Sequence, residues 1–187
     1  MAILIDGYNL MHAAGLAKRS FGPGGLRKAR QGLLGLLAAS LDKREIDGTT
    51  VVFDAKDHPV GAPDIMQYKG LTICFATSHE DADAQIEELI QTDSAPRRLL
   101  VVSSDHRLQR AARRRRAQSI DSEQFVEDLI VRRRRRKSGS SVEPNTKRHG
   151  AVSKAETAYW LEEFKDMIDD PALKDLSPDW YEEEETS

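Results

Sequence analysis

One cysteine stands among 187 residues. Cys74 alone cannot build a disulfide framework or a cysteine-rich zinc site, and its setting, LTICFA, predicts a buried, inert thiol. Long apolar runs are missing too, since none approaches the roughly 20 residues that a membrane-spanning helix needs. No basic segment followed by an apolar stretch opens the chain, so no signal peptide is expected and a soluble cytoplasmic protein follows. Phosphate-loop signatures are absent: there is no GxxxxGK[ST], no GxGxxG follows a strand, and FGPGG at 21–25 reads as a loop. His12, His58, His79, His106 and His149 show no HExxH spacing. Ser103 and Ser104 lack a surrounding GxSxG, which sets serine hydrolysis aside. A phosphate-accepting receiver domain would want paired acids at its first strand and a lysine after a late one, whereas Asp6 stands alone and Asp105 follows two serines.

The charge that is present is unevenly spread. Net charge is -3. Residues 1–137 nevertheless carry 23 Lys and Arg against 18 Asp and Glu, a net +5, while 138–187 carry 5 against 13, a net -8. A basic body suggests a polyanionic partner, and an acidic tail could compete with it.

Four apolar runs read as buried strands: 2–5, 50–53, 71–76 and 98–102. They are rich in Val, Ile and Leu without strict alternation, the pattern of a parallel sheet covered on both faces. Helical spacing links Leu26, Ala29, Leu33, Leu37 and Leu41, then Ala82, Ile86, Leu89 and Ile90. It recurs at Leu108, Ala111 and Ala112, and again at Phe125, Val126, Leu129 and Ile130, where Asp121 or Ser122 is placed to cap. The expected fold is α/β, an open sheet of mainly parallel strands with helices on both faces. Residues 1–137 form this domain. Residues 138–152, containing SGSSVEPNTKRHG, read as a flexible linker. Residues 153–187 read as an amphipathic helix, opened by a Ser153–Glu156 capping box, and an acidic tail ending WYEEEETS. The helix needs an apolar surface, either on its own domain or on a protein partner.

Acids recur at the ends of the strands: Asp6, Asp54, the group Glu80, Asp81 and Asp83, and Asp105. In an open parallel sheet the carboxyl ends of the strands share one edge, where ligands bind. Crowded carboxylates raise one another's pKa, and a hard divalent cation relieves them. At about 100° per residue, Glu80, Asp83 and Glu87 share one helix face. Capping accounts for Asp81 and extends to Glu87, but not to Asp6 or Asp105. Gly7 is expected to let the backbone turn sharply after the first strand.

The blocks IDGYN (5–9), VVFDA (51–55), EDADAQIE (80–87) and VVSSD (101–105) resemble the YacP-like branch of the NYN-domain nucleases, in the PIN-like superfamily. The resemblance covers about residues 1–131. Where the family has T-A-D, this chain has Asp81-Ala82-Asp83. The resemblance implies a PIN-like fold and a metal-dependent ribonuclease, with Mg²⁺ or Mn²⁺ as one or two ions. Some such relatives cut messenger RNA at the ribosome, which makes RNA and the ribosome the implied partners. By position it implies Asp6, Asp83 and Asp105 as catalytic and metal-binding carboxylates and Glu80 as a further ligand, with Asn9, Asp54 and Ser104 in support. Two alternatives stand beside it: a non-catalytic RNA- or ribosome-binding module, and a DNA-directed nuclease.

Arginines complete the pattern. Arg107, Arg110 and Arg114 share one helix stripe opposite Leu108, Ala111 and Ala112, and a second cluster runs through Arg132 and Arg133 to Arg136. Guanidinium forks match phosphate geometry and stack on unpaired bases, so these residues are expected to contact RNA. Tyr8 is expected to pack or to stack on a base. For His12, His79 and His106, a structural or substrate-contact role is expected rather than metal ligation.

Overall fold

The computed structural model describes residues 1–17, 25–55, 58 and 63–137. The linker and tail expected at 138–187 lie outside these residues.

Among the described residues, six strands form one sheet: β1 (Ala2–Asp6), β2 (Thr49–Phe53), β3 (Ile65–Tyr68), β4 (Leu71–Phe75), β5 (Leu99–Val102) and β6 (Gln118–Ile120). Their spatial order is β3-β4-β2-β1-β5-β6, and every pairing is parallel except β3 with β4. The helices are α1 (Gly7–Ala13), α2 (Gly25–Ser40), α3 (Lys43–Asp47), α4 (Ala82–Thr92), α5 (His106–Arg114) and α6 (Ser122–Lys137). This is the expected open α/β sheet.

Successive strand residues point to opposite faces, and both faces are apolar. Ile3, Ile5, Val51, Phe53, Ile73 and Phe75 pack with α1, α2 and α6 on one side. Leu4, Val52, Cys74, Leu99 and Val101 pack with α4 and α5 on the other. Cys74 is buried, as expected, and burial pushes its thiol up.

The sequence pattern misses several elements. β3 pairs with β4 through a two-residue turn, Lys69-Gly70, with φ of 50° and 91°, the type of turn whose twist suits a hairpin. β6 is only three residues long, too short for any periodicity. α3 opens with a capping box in which Asp42 and Glu45 exchange side-chain and backbone bonds of 3.0 and 2.8 Å.

α1 corrects the reading of Gly7. The chain does not turn sharply there but enters a helix. Glycine is required for space: an added Cβ would lie 2.4 Å from Phe53 Cε1. With α1 and α2 leaving β1 toward β2, and α4 carrying the chain back past β2 and β1 to β5, the connections diverge between β1 and β5. Ligands bind outside the carboxyl ends of the strands at such a divergence.

Candidate active site

β1 and β5 meet at that divergence. Ile5 is opposite Val102, so the next residues outward, Asp6 and Ser103, are neighbours. The Ser103 hydroxyl donates to Asp6 Oδ2 at 3.1 Å, and the Asp105 N–H donates to Ser103 Oγ at 3.0 Å. One buried hydroxyl thus ties together the ends of two strands that are 97 residues apart in sequence. Ser103 is not among the site residues expected from the sequence. The signal that could have found it is a polar residue continuing the apolar run LLVV.

An open cleft of about 460 Å³ lies over this junction. Asp6, Asp83, Asp105, Asp54 and Asn9 line it, as do Asp81, Tyr8 and His12. Three of the aspartates are helix N-caps. Asp6 Oδ1 accepts from the Asn9 N–H at 3.0 Å, Asp81 Oδ1 from the Ala84 N–H at 2.7 Å and Asp105 Oδ1 from the Arg107 N–H at 2.5 Å. Capping therefore does account for Asp6 and Asp105, contrary to expectation. The two roles coexist because one carboxylate oxygen caps the helix while the carboxylate still borders the cleft.

The charges press on one another. Burial, chiefly, raises the Asp6 carboxyl above the usual range, with a smaller push from Asp105; the Asn9 N–H, the Ser103 hydroxyl and the Asn9 side chain oppose it. Asp83 is pushed up to about 6, first by burial and then by Asp6, Asp105 and Asp81, against a pull from Arg107. Every donor in this acidic set is oxygen. Among the described residues, no three of His, Cys, Asp and Glu are close enough together to form a ready-made metal site.

The remaining expected residues fall elsewhere. Glu80 is exposed and outside the cleft lining. It precedes α4, so the shared helix face expected for Glu80, Asp83 and Glu87 is reduced to Asp83 and Glu87. Asp81 takes the place beside the cleft. Ser104 turns away: its hydroxyl donates to Asp121 Oδ1 at 2.5 Å and accepts from the Ser122 N–H at 3.2 Å, at the start of α6. Its backbone N–H donates to Asn9 Oδ1 at 3.3 Å, so its support is indirect.

Tyr8 packs edge-on against Phe53 with ring centroids 5.8 Å apart, and it also borders the cleft. His79 pairs with Glu88, and His106 lies 3.5 Å from Gln109. Arg107 is held by Glu87 through two bonds of 3.0 Å, which joins α4 to α5 at the rim. Arg110 is exposed, and its Nε donates to the His106 carbonyl at 3.1 Å; Arg114 is exposed too. Arg132 donates to both oxygens of Glu45 at 2.8 and 2.9 Å. Arg133 is only 9% exposed. Arg132 thus joins α6 to α3 while 42% of its side-chain surface remains exposed, and only the buried Arg133 has little surface for a ligand.

A family model described as the YacP-like NYN domain matches residues 3–169. Among solved structures, the chain is similar to the crystal structure of Rae1 (YacP) from Bacillus subtilis, with 22% identity and a TM-score of 0.58 over 95% of this chain and 99% of that one. A single-substitution variant of that protein gives 20% identity and a TM-score of 0.53 over 95% and 100%. No curated protein matches the chain. Among the described residues no helix is long and apolar enough to cross a membrane.

Proposed function

The chain belongs to the YacP-like NYN-domain family, whose PIN-like relatives are generally nucleases, and from that premise we propose that it is a divalent-metal-dependent endoribonuclease. The observation that carries this reading is the gathering of Asp6, Asp81, Asp83 and Asp105, from three strand-to-helix junctions, around one cleft at the sheet divergence. A cluster of like charges with only oxygen donors suits a hard cation such as Mg²⁺ or Mn²⁺. Mg²⁺ usually keeps several waters and is held by one or two carboxylates, so it does not require a closed cage of protein ligands. Bound there, the ion would acidify a water and offset charge on a phosphodiester.

The chain's own residues supply the rest. Asp6 is the anchor, fixed by Ser103 and by the Asn9 backbone. Asp83 and Asp105 line the same cleft as the other candidate ligands. Asn9 is a positioning residue that holds Asp6, and Ser104 holds Asn9. Exposed Arg110 and Arg114 would attract the RNA backbone. The substrate class implied by the family resemblance is messenger RNA, with the ribosome as its setting; the expected compartment is the cytoplasm.

The test is incubation of the protein with end-labelled RNA and DNA in Mg²⁺, Mn²⁺ or EDTA, with and without ribosomes. Internal cuts in RNA are expected with either ion and none in EDTA. Asp6→Asn, Asp83→Asn and Asp105→Asn should each reduce cleavage at least about a hundredfold (on the order of 3 kcal/mol) while remaining folded. Cutting of DNA alone would make the protein a DNA nuclease. Binding of RNA with no cutting under any condition would leave a non-catalytic module.

A further inference from the structure

At the opposite edge of the sheet the charge has the other sign. A cavity of about 620 Å³ is lined by Arg97, Arg98, Arg114, Arg115 and Arg116, with Pro96 and its neighbours as the remaining wall and no carboxylate among the described residues. Topology sets its place. Arg98 precedes β5 and Arg114 closes α5, whereas Asp105 follows β5 and caps the start of α5. The four residues of β5 at about 3.3 Å each put roughly 13 Å between cavity and cleft. The nine residues of α5, at about 1.5 Å each, give the same span.

All five arginines are exposed. Arg115 is fixed, donating to the Ile90 carbonyl at 3.4 Å and the Asp93 carbonyl at 3.0 Å at the end of α4. Arg97, Arg98, Arg114 and Arg116 have no ion pair and no side-chain hydrogen bond among the described residues. The backbone adds a second observation. The Ala117 N–H donates to the Ala112 carbonyl at 2.9 Å and the Arg116 N–H to the Arg113 carbonyl at 3.0 Å, a Schellman turn that leaves Arg116 at φ 61°. Glycine is the usual residue at that position. The chain instead holds a strained arginine there, and its side chain lines the cavity.

We propose that this cavity is a second phosphate-binding site that grips the backbone of the RNA substrate across the domain from the cleavage cleft, an inference that rests on the ribonuclease reading. Guanidinium forks bind phosphate oxygens in pairs, and unpaired cations give the largest gain by counterion release. A small phosphate compound offers the same chemistry but would satisfy only part of the cluster. A polyanion is favoured because Arg110 and Arg114, one turn apart on the exposed face of α5, lead from the cleft to the cavity. At about 3.4 Å per nucleotide, a strand needs roughly four nucleotides beyond the cleft to arrive.

The test uses the full chain in EDTA, so that binding is read without cleavage. Arg97→Gln/Arg98→Gln and, separately, Arg116→Gly are titrated with RNA of about 30 nucleotides and of about four, at several salt concentrations. Affinity for the long RNA should fall about tenfold, the salt slope should drop by about 0.7 for each phosphate no longer neutralised, and the short RNA should bind as before. Arg116→Gly should melt at or above the wild-type temperature while losing affinity, a combination that a merely structural arginine would not give. Unchanged affinity for the long RNA overturns the proposal, and so does an equal loss for both lengths. Pyrophosphate binding that the variants abolish, with long-RNA binding unaltered, assigns the cavity to a small anion and also overturns it. The two readings fail separately. Length-dependent loss of binding in a protein that cuts no nucleic acid keeps the cavity and removes the ribonuclease. Cleavage of RNA with unaltered binding by the variants does the reverse.

Discussion

Asp83 keeps its proton to about pH 6 because it is partly buried and faces Asp6, Asp105 and Asp81. Between the ordinary aspartate value of 3.8 and about 6, the folded metal-free protein binds a proton that the unfolded chain has released. Stability therefore falls as pH rises through that window and levels off above it. Asp83→Asn removes this loss. Solvent screening limits the effect to roughly 1 kcal/mol, or about 2–4 °C, so melting curves from pH 4 to 8 in EDTA should show the variant gaining on wild type as pH rises. A flat difference across that range would mean that the carboxyl is not perturbed. Ser103 works in the opposite sense, because its hydroxyl stabilises the ionised Asp6 and receives the Asp105 N–H. Ser103→Ala should cost about 2 kcal/mol in urea unfolding, the expectation for the two hydrogen bonds of one buried hydroxyl, and should raise the Asp6 carboxyl pKa further when followed by NMR.

Among the elements, three helix N-termini carry the site. α1, α4 and α5 are capped by Asp6, Asp81 and Asp105, and each cap borders the cleft. The caps fix the carboxylates, since each aspartate is held by the first turn of its own helix. α1 can pack this closely on the sheet only because Gly7 has no side chain: the ring of the fully buried Phe53 occupies the place of its Cβ. Gly7→Ala should therefore destabilise the fold by about 1–3 kcal/mol, as overpacking does, despite the better helix propensity of alanine. It should also displace Asn9 and Tyr8, so cleavage should fall by more than the loss of folded protein explains. Normal activity in the folded fraction would show that the position of α1 is not critical to the site.

At the scale of the whole molecule, the sheet divides the charge. Carboxylates collect at its carboxyl edge, while arginines gather in a cavity at the other edge. A cation bound at the acidic edge of the folded state alone must stabilise it. At a hundred times its dissociation constant the gain is about 2.7 kcal/mol, several degrees for a chain of this size. Mg²⁺ or Mn²⁺ should raise the melting temperature of wild type, most clearly near pH 7 where Asp83 is ionised. The ions should raise it far less for Asp6→Asn. An equal shift in both proteins would place the cation elsewhere.

The layers of the fold are legible in the amino-acid sequence itself. Apolar runs too continuous to face water on either side require a sheet covered on both faces, and β1, β2, β4 and β5 lie where those runs are. Helical spacing marks α2, α4, α5 and α6, and an acid at the end of each run marks the functional edge, because strand direction alone brings those ends together. β3, β6 and α3 are too short to carry a period, and α1 is hidden because its glycine reads as a break when its purpose is space for Phe53. Which side chains meet is a matter of packing in three dimensions. The structure puts Asp81 beside the cleft and leaves Glu80 outside, because α4 begins at Ala82 and not two residues earlier. It joins Ser103 to Asp6 through the β1–β5 register, which no local pattern encodes. It also sorts the arginines, which are equivalent as sequence. Arg107 and Arg132 find carboxylates on neighbouring helices and Arg133 is buried, while Arg97, Arg98, Arg114 and Arg116 converge without a carboxylate among the described residues. Local spacing reports which face of an element a residue lies on. What that face meets depends on how the crossovers stack segments that are distant along the chain.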